Sequence, residues 1–356
     1  MKKVMLCFIF LFSLSFHFVH ANEENKIIEI QGRNISYNLF FQRLESIIEK
    51  QKVSNLYQKK DYILKIKKVL NLLKNDDINL ILNNLLEKIN NEIYTDENTL
   101  KEVVIGKSVI GKEIKMMYKG NITQGFTLFI GSIHGGYEYG TYESIKALAE
   151  KLKNSNKKQW MIIETLNPDG LQIFKENGNK QEAYLEGRGN FNGVDLNRNF
   201  CTLNYQSGSY VKNASNDKEN SMGFSLGEQC GSEPEVQSMD YVLNNFKINK
   251  IIDIHSKGGI IFIPDNSIDD TRVQKLGYEV KKILGSNYQF DISYTTQQQK
   301  MRKIKIYEVD EGGSGLYTGM LITYAYEKFN IPSIIIELKE HGVIEENISK
   351  LVNMLD

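Results

Sequence analysis

An excess of either charge is missing from this chain: its 356 residues carry 44 lysines and arginines against 44 aspartates and glutamates. A nucleic-acid binder, or a protein held on an anionic membrane, needs a basic surplus or face, so neither class is indicated. Cysteine is scarce, with three residues and no C-x-x-C pair, which leaves a cysteine zinc site or a thioredoxin-like motif without support. Beyond Ala21 no apolar run approaches the length of about 20 residues needed to span a bilayer. Histidine is equally sparse: of five, His17 and His20 lie in the first segment, leaving only His134, His255 and His341. Proline and glycine are both absent from Asn38 to Tyr94, which excludes a turn-rich structure there.

The amino terminus is the clearest organisational signal. Lys2 and Lys3 precede a stretch from Val4 to Val19 that is apolar apart from serines and His17, and Val19-His20-Ala21 presents compact residues at the positions a signal peptidase reads. This is the layout of a cleavable export signal, with cleavage after Ala21, and its brevity is of the bacterial kind. The mature protein is expected to be exported, to the periplasm or as a secreted protein, with no stable membrane insertion. Cleavage removes Cys7; Cys201 and Cys230 then either pair in an oxidising compartment or stay as two free thiols.

Three regions follow: a signal at 1–21, a small helical module at 22–100 and a catalytic domain at 101–356. Within Asn38–Tyr94, Ile63, Ile66, Val69, Leu70 and Leu73, then Leu80, Ile81 and Leu85, recur mostly at three- and four-residue steps, the period of an amphipathic helix. After Leu100, short apolar runs at Phe126–Ile130, Trp160–Ile163, Ile251–Ile254 and Ser333–Ile336 read as buried strands. Helical patterns at Tyr142–Leu152, Glu235–Phe246, Val273–Leu284 and Leu321–Phe329 lie between them, and Ser232-Glu233-Pro234-Glu235 reads as a helix start with a serine cap. The expected fold is an α/β domain of three layers, a mixed twisted sheet with helices on both faces.

Two of the three histidines sit at or just past expected strand ends, where open α/β sheets place their ligand sites. His134 follows the run ending in Ile130, with Glu138 four residues on, and Gly135-Gly136 between them lets the chain turn sharply. His255 closes Ile251-Ile252-Asp253-Ile254. Two imidazoles and one carboxylate with an open position are a catalytic zinc set. Far downstream, Ser333-Ile334-Ile335-Ile336 ends in Glu337, a carboxylate that faces a metal, a water or a cation such as Lys339, since burying it alone costs too much.

These segments, with Asn167-Pro168-Asp169-Gly170 and Gly193-Val194-Asp195-Leu196-Asn197-Arg198-Asn199-Phe200 between them and Gly106–Lys112 before them, resemble the zinc metallocarboxypeptidases of the carboxypeptidase A type. The resemblance runs from about Glu102 to the carboxy terminus. It implies one zinc ion held by His134, Glu138 and His255, with Glu337 as the glutamate that takes a proton from water and returns it to the leaving amine. It implies Arg188 as the oxyanion arginine, Asn197 and Arg198 as the dock for a terminal carboxylate, and Asp195 as the aspartate that orients His134. The family's mobile tyrosine corresponds best to Tyr317, with Tyr307 as the alternative. The family's spacing is H-x-x-E; here it is one residue longer, Tyr137 stands at the usual glutamate position, and the two glycines are expected to absorb the extra residue. His341 has no family role. The polar stretch Thr202–Gln229 either rims the cleft or is a surface loop.

The implied activity is removal of a carboxy-terminal residue from a peptide with a free carboxylate. The compact Gly187–Phe200 segment looks most like bacterial members that trim peptidoglycan, cutting muropeptides at the D-glutamyl–diaminopimelate amide. A general exported peptide carboxypeptidase, a zinc deacylase on the same fold and an inactive peptide-binding homologue are the alternatives.

Overall fold

The computed structural model describes residues 97–122, 124–177, 187–205, 210–212, 223–264, 266–290, 318–340 and 346–355, and the backbone of four amino-terminal strands. The chain divides into two compact units, Met1–Asp96 and Glu97–Asp356.

In the first unit, β1 (Val4–Ile9), β2 (Phe16–Asn22), β3 (Ile27–Ile30) and β4 (Arg33–Ser36) form an antiparallel meander. These strands lie before Asn38, where the helical pattern begins, and Ile27-Ile28-Glu29-Ile30 is rich in the β-branched residues that favour strands. The helical expectation for Asn38–Tyr94 lies outside the described residues.

The second unit is built on a seven-stranded mixed sheet. A hairpin of β5 (Lys101–Lys107) and β6 (Glu113–Lys119) precedes β7 (Phe126–Gly131) and β8 (Trp160–Ile163). The small antiparallel pair β9 (Tyr210–Lys212) and β10 (Gly223–Ser225) stands apart from that sheet, and β11 (Ile248–Ser256), β12 (Ile260–Phe262) and β13 (Ser333–Leu338) complete it. The order across the sheet is β12-β13-β11-β7-β8-β6-β5. Strands β13, β11, β7 and β8 are mutually parallel, so their carboxyl ends share one edge. Every residue of β7 and β8 is buried, which is why these strands read as unbroken apolar runs rather than alternating ones.

Among the described residues five α-helices flank the sheet: α1 (Tyr139–Lys153), α2 (Pro168–Glu176), α3 (Pro234–Asn245), α4 (Thr271–Leu284) and α5 (Leu321–Phe329). One face carries the main core, where Ile145, Leu148 and Leu152 of α1 and Val273, Leu276 and Val280 of α4 pack on Phe129, Ile252, Ile254, Ile334 and Ile336. Side chains alternate along a strand, so Asp253, His255, Ile335 and Glu337 belong to the opposite face, where Ile335 packs with Met320 and Ile322 beside α5. The expected three-layer architecture is the one observed.

One local reading changes, and the structure adds detail at two other segments. The cap of α3 is Glu233, not Ser232; the Ser232 hydroxyl instead donates to Glu233 Oε1 at 2.7 Å. Asn167-Pro168-Asp169-Gly170 opens helix α2, with the Asn167 side chain accepting from Gly170 N at 2.9 Å. Within Thr202–Gln229, β10 is tied to the neighbouring loop, since Asp195 N donates to Ser225 O (3.0 Å) and Ser225 N to Gly193 O (3.1 Å). Cys201 and Cys230, at its two ends, form a disulfide with Cα atoms 4.8 Å apart.

Candidate metal centre and active site

The turn between β7 and α1 brings His134 and Glu138 together. Gly135 has φ +43°, and a Cβ there would meet Gly187 O at 2.6 Å, so no larger residue fits this close backbone approach. Tyr137 N donates to His134 O at 2.9 Å, folding the five-residue segment back, and Glu138 becomes the cap position of α1. The two glycines thus absorb the extra residue. His255 arrives from β11, and the parallel register sets His255 beside Glu337 of β13, as Asp253 is set beside Ile335.

His134, Glu138 and His255 are all buried, with one donor atom from each lying within 4.8 Å of the others. Each imidazole turns Nδ1 to Glu138: His134 Nδ1 is 2.7 Å from Oε1 and His255 Nδ1 is 3.2 Å from Oε2. Each turns Nε2 to a buried aspartate, His134 to Asp195 Oδ1 at 3.0 Å and His255 to Asp253 Oδ2 at 2.9 Å. An aspartate accepting from Nε2–H fixes the tautomer whose lone pair is on Nδ1, so both free lone pairs face the same carboxylate. Asp253 was not singled out in the sequence. Its signal was an acid inside an apolar buried strand, two residues before a histidine and therefore on the same face.

The electrostatics fit a cation. Burial by itself would raise the Glu138 carboxyl, but His134 and His255 outweigh it and hold that carboxyl below the usual range. Glu138 Oε2 is buried without a completed hydrogen bond. Burial lowers the His255 imidazole, but the charges of Asp253 and Glu138 prevail and raise it well above its ordinary value. Burial works against the Asp195 carboxylate, which Arg188 and His134 nonetheless keep well below the usual range. A site that draws a proton onto an imidazole between two carboxylates favours positive charge, and two imidazoles with one carboxylate are the donor set of a catalytic zinc. The residues present fit that ion.

Around this centre, the half-buried Glu337 is raised to about 8 by burial and by the charge of Glu138, against the pull of His255 and Arg188. Lys339 is not its partner among the described residues; the ammonium lies 5.7 Å from the centre of the Tyr288 ring. Arg188 grips Asp195 Oδ2 through Nε (3.0 Å) and Nη2 (2.8 Å), and its Nη1 stands 4.0 Å from Glu138 Oε1. Asn197 and Arg198 form a short 3-10 turn after Asp195. Asn197 Nδ2 lies 3.4 Å from His255 Nε2, and its Oδ1 accepts from Leu321 N at 2.9 Å. The buried Arg198 donates through Nη1 to Asn197 O at 2.8 Å. Tyr317, Tyr307 and His341 lie outside the described residues. Among the described residues no helix is long and apolar enough to cross a membrane.

With this geometry in hand, the family model described as zinc carboxypeptidase matches residues 86–353. Murein peptide amidase A of Escherichia coli K12 is 26% identical over 173 residues, 48% of this chain and 63% of that protein. The human carboxypeptidase N catalytic chain is 34% identical over 87 residues, 21% of this chain and 19% of that protein. The chain therefore spans less than two thirds of these relatives. Among solved structures, murein-tripeptide amidase MpaA from Escherichia coli O157 superposes with a TM-score of 0.53 at 18% identity, covering 73% of this chain and 94% of that one. Thrombin activatable fibrinolysis inhibitor gives 0.50 at 18% identity, covering 77% of this chain and 73% of that one. At these identities the two structures speak to the fold alone.

Proposed function

Because the chain belongs to the zinc carboxypeptidase family, we propose that it is an exported zinc peptidase that hydrolyses an amide next to a free carboxylate, with peptidoglycan stem peptides as its substrates. The convergence of His134, Glu138 and His255, with Glu337 in register beside His255, carries this reading. When bound, zinc supplies polarisation of the scissile carbonyl and acidification of water to a pKa of about 7. His134, Glu138 and His255 hold it, and Asp195 and Asp253 keep both imidazoles in the right tautomer. The charge of a bound zinc would favour the ionised Glu337 carboxylate, which would accept the proton of the attacking water and return it to the leaving amine. Arg188 Nη1 donates to the oxyanion, a contribution of a few kcal/mol. Arg198 offers the planar fork that a terminal carboxylate takes in two bonds, with Asn197 beside it.

The substrate class is supported by the similarity to murein peptide amidase A, which takes in 48% of the chain, and by the compact segment Gly187–Phe200. A muropeptide cut at the D-glutamyl–diaminopimelate bond leaves an amino acid whose carboxylate suits Arg198. The test is incubation of the zinc-loaded protein with purified muropeptides and with linear L-peptides, before and after chelation. Release of diaminopimelate, lost with chelator and restored by zinc, is expected. Cleavage of L-peptides with muropeptides untouched would identify a general peptide carboxypeptidase, and no hydrolysis by the zinc-bound protein would identify a binding module.

A further inference from the structure

The mechanism above leaves unused the residue by which the His134–Glu138 interval exceeds H-x-x-E. Counting along His134-Gly135-Gly136-Tyr137-Glu138, the extra residue brings a large aromatic ring to the brink of the metal centre. The ring does not point away. Gly136 N donates to Gly187 O at 3.0 Å, so the two loops are joined backbone to backbone one residue before Tyr137 and one before Arg188. Gly135 keeps this approach open, as its missing Cβ shows. The next residue on each strand of the contact then meets its counterpart: the Arg188 guanidinium lies over the Tyr137 ring, 5.1 Å from its centre.

Arg188 is thereby held on two sides. Its edge is gripped by Asp195 Oδ2 at 3.0 and 2.8 Å, and its face is covered by Tyr137. The ring on its face adds a constraint on the tilt of the guanidinium plane to the edge-on fork with a single oxygen. The remaining nitrogen, Nη1, is the one that faces Glu138, at 4.0 Å. Cation–π contacts of this kind strengthen when the pair is shielded from water, and both side chains are partly buried.

We propose that Tyr137 is a positioning residue for Arg188, clamping the guanidinium plane so that Nη1 is presented to the oxyanion. The extra residue between the metal ligands is then a functional part of this site, supplying a fixed aromatic wall from the metal-binding turn itself. This rests on the oxyanion role of Arg188 given above.

Two variants separate ring from hydroxyl. Tyr137→Phe keeps the face and is expected to hold kcat within about twofold. Tyr137→Leu removes it and is expected to lower kcat about 3- to 30-fold, the range of such contacts, with KM little changed because the interaction matters in the transition state. In an Arg188→Ala background Tyr137→Leu should cost nothing further. A fall of equal size in Tyr137→Phe, an effect confined to KM, or an undiminished effect without Arg188 would overturn the clamp. One readout needs no turnover: the Arg188 Nε–H proton resonance, shifted by the ring current, should move in Tyr137→Leu and stay in Tyr137→Phe. If it stays in both, the contact is absent and the proposal fails. If the wild-type protein with zinc bound hydrolyses no peptide while the resonance behaves as expected, the functional reading fails and the positioning role falls with it, while the contact between Tyr137 and Arg188 stands. Should Tyr137→Leu lose zinc on metal analysis, Tyr137→Met, which fills the gap without a ring, is measured in its place and judged by the same outcomes.

Discussion

Two buried aspartates stand behind two imidazoles, and the chemistry of the site depends on both. Asp253 lies in a row of the sheet where its register partners are Ile335 and Ile130, and among the described residues its hydrogen bond is to His255. Asp253→Asn keeps the shape, but its amide can donate to Nε2, favouring the tautomer with the proton on Nδ1. Zinc affinity measured by competition with a chromophoric chelator is expected to weaken about 10-fold or more; an unchanged affinity would mean that His255 is oriented by other groups. Glu337→Gln keeps volume and removes the proton acceptor. A loss in kcat of about 100-fold or more is expected with metal content intact, and near-normal turnover would move the acid–base role elsewhere. The candidate ligand histidines and Glu337 were legible in the sequence because each is a polar residue at or just beyond the end of an apolar run, and Glu138 because it follows His134 by four residues across two glycines. Asp253 was not, because an acid inside such a run gains its meaning only from the strand's two-residue period and from which face is up.

At the scale of elements, the start of α3 is the joint that holds the arginine-bearing loop. Asn190 Nδ2 donates to Glu233 Oε2 at 2.7 Å and to Glu235 Oε2 at 3.0 Å, while Val109 N of the β5–β6 turn donates to Glu235 Oε1 at 3.2 Å. Burial pushes Glu235 up to about 7. A carboxyl raised in the folded state keeps its proton where the unfolded chain has released it, so stability falls as pH rises from about 4.5 to about 7 and levels off above. The difference in Tm between wild type and Glu235→Gln should therefore drift over that window and be constant above it; a constant difference throughout would show that Glu235 titrates normally. This joint was half legible. Pro234 marked the helix start, yet the serine expected to cap it turned instead to Glu233, a choice made by Asn190 and Asn199 from loops distant in sequence.

At the scale of the molecule, the disulfide fastens the segment that follows Asn197-Arg198. Cys201 and Cys230 are 29 residues apart, and a cross-link closing such a loop stabilises by about 3–4 kcal/mol in the chain-entropy view. Reduction should lower Tm measurably while leaving zinc bound, since no ligand lies within the closed loop. An unchanged Tm would mean that the hydrogen bonds of Asn199 to Leu226 O and Gln229 O, at 2.7 and 2.9 Å, already hold the segment.

The sequence by itself determined the layered α/β fold, because four buried strands had to be continuous apolar runs and the helices between them had to be amphipathic. It also singled out His134 and His255 as candidate metal ligands, since only three histidines lie beyond Ala21 and two of them stand at or just past strand ends. Only the tertiary structure decided which nitrogen of each imidazole faces Glu138, that Asp253 stands behind His255, and that Tyr137 covers Arg188. It also decided that Cys201 pairs with Cys230. Each of these depends on distances between segments that the chain brings together from far apart, and local pattern carries no record of such distances.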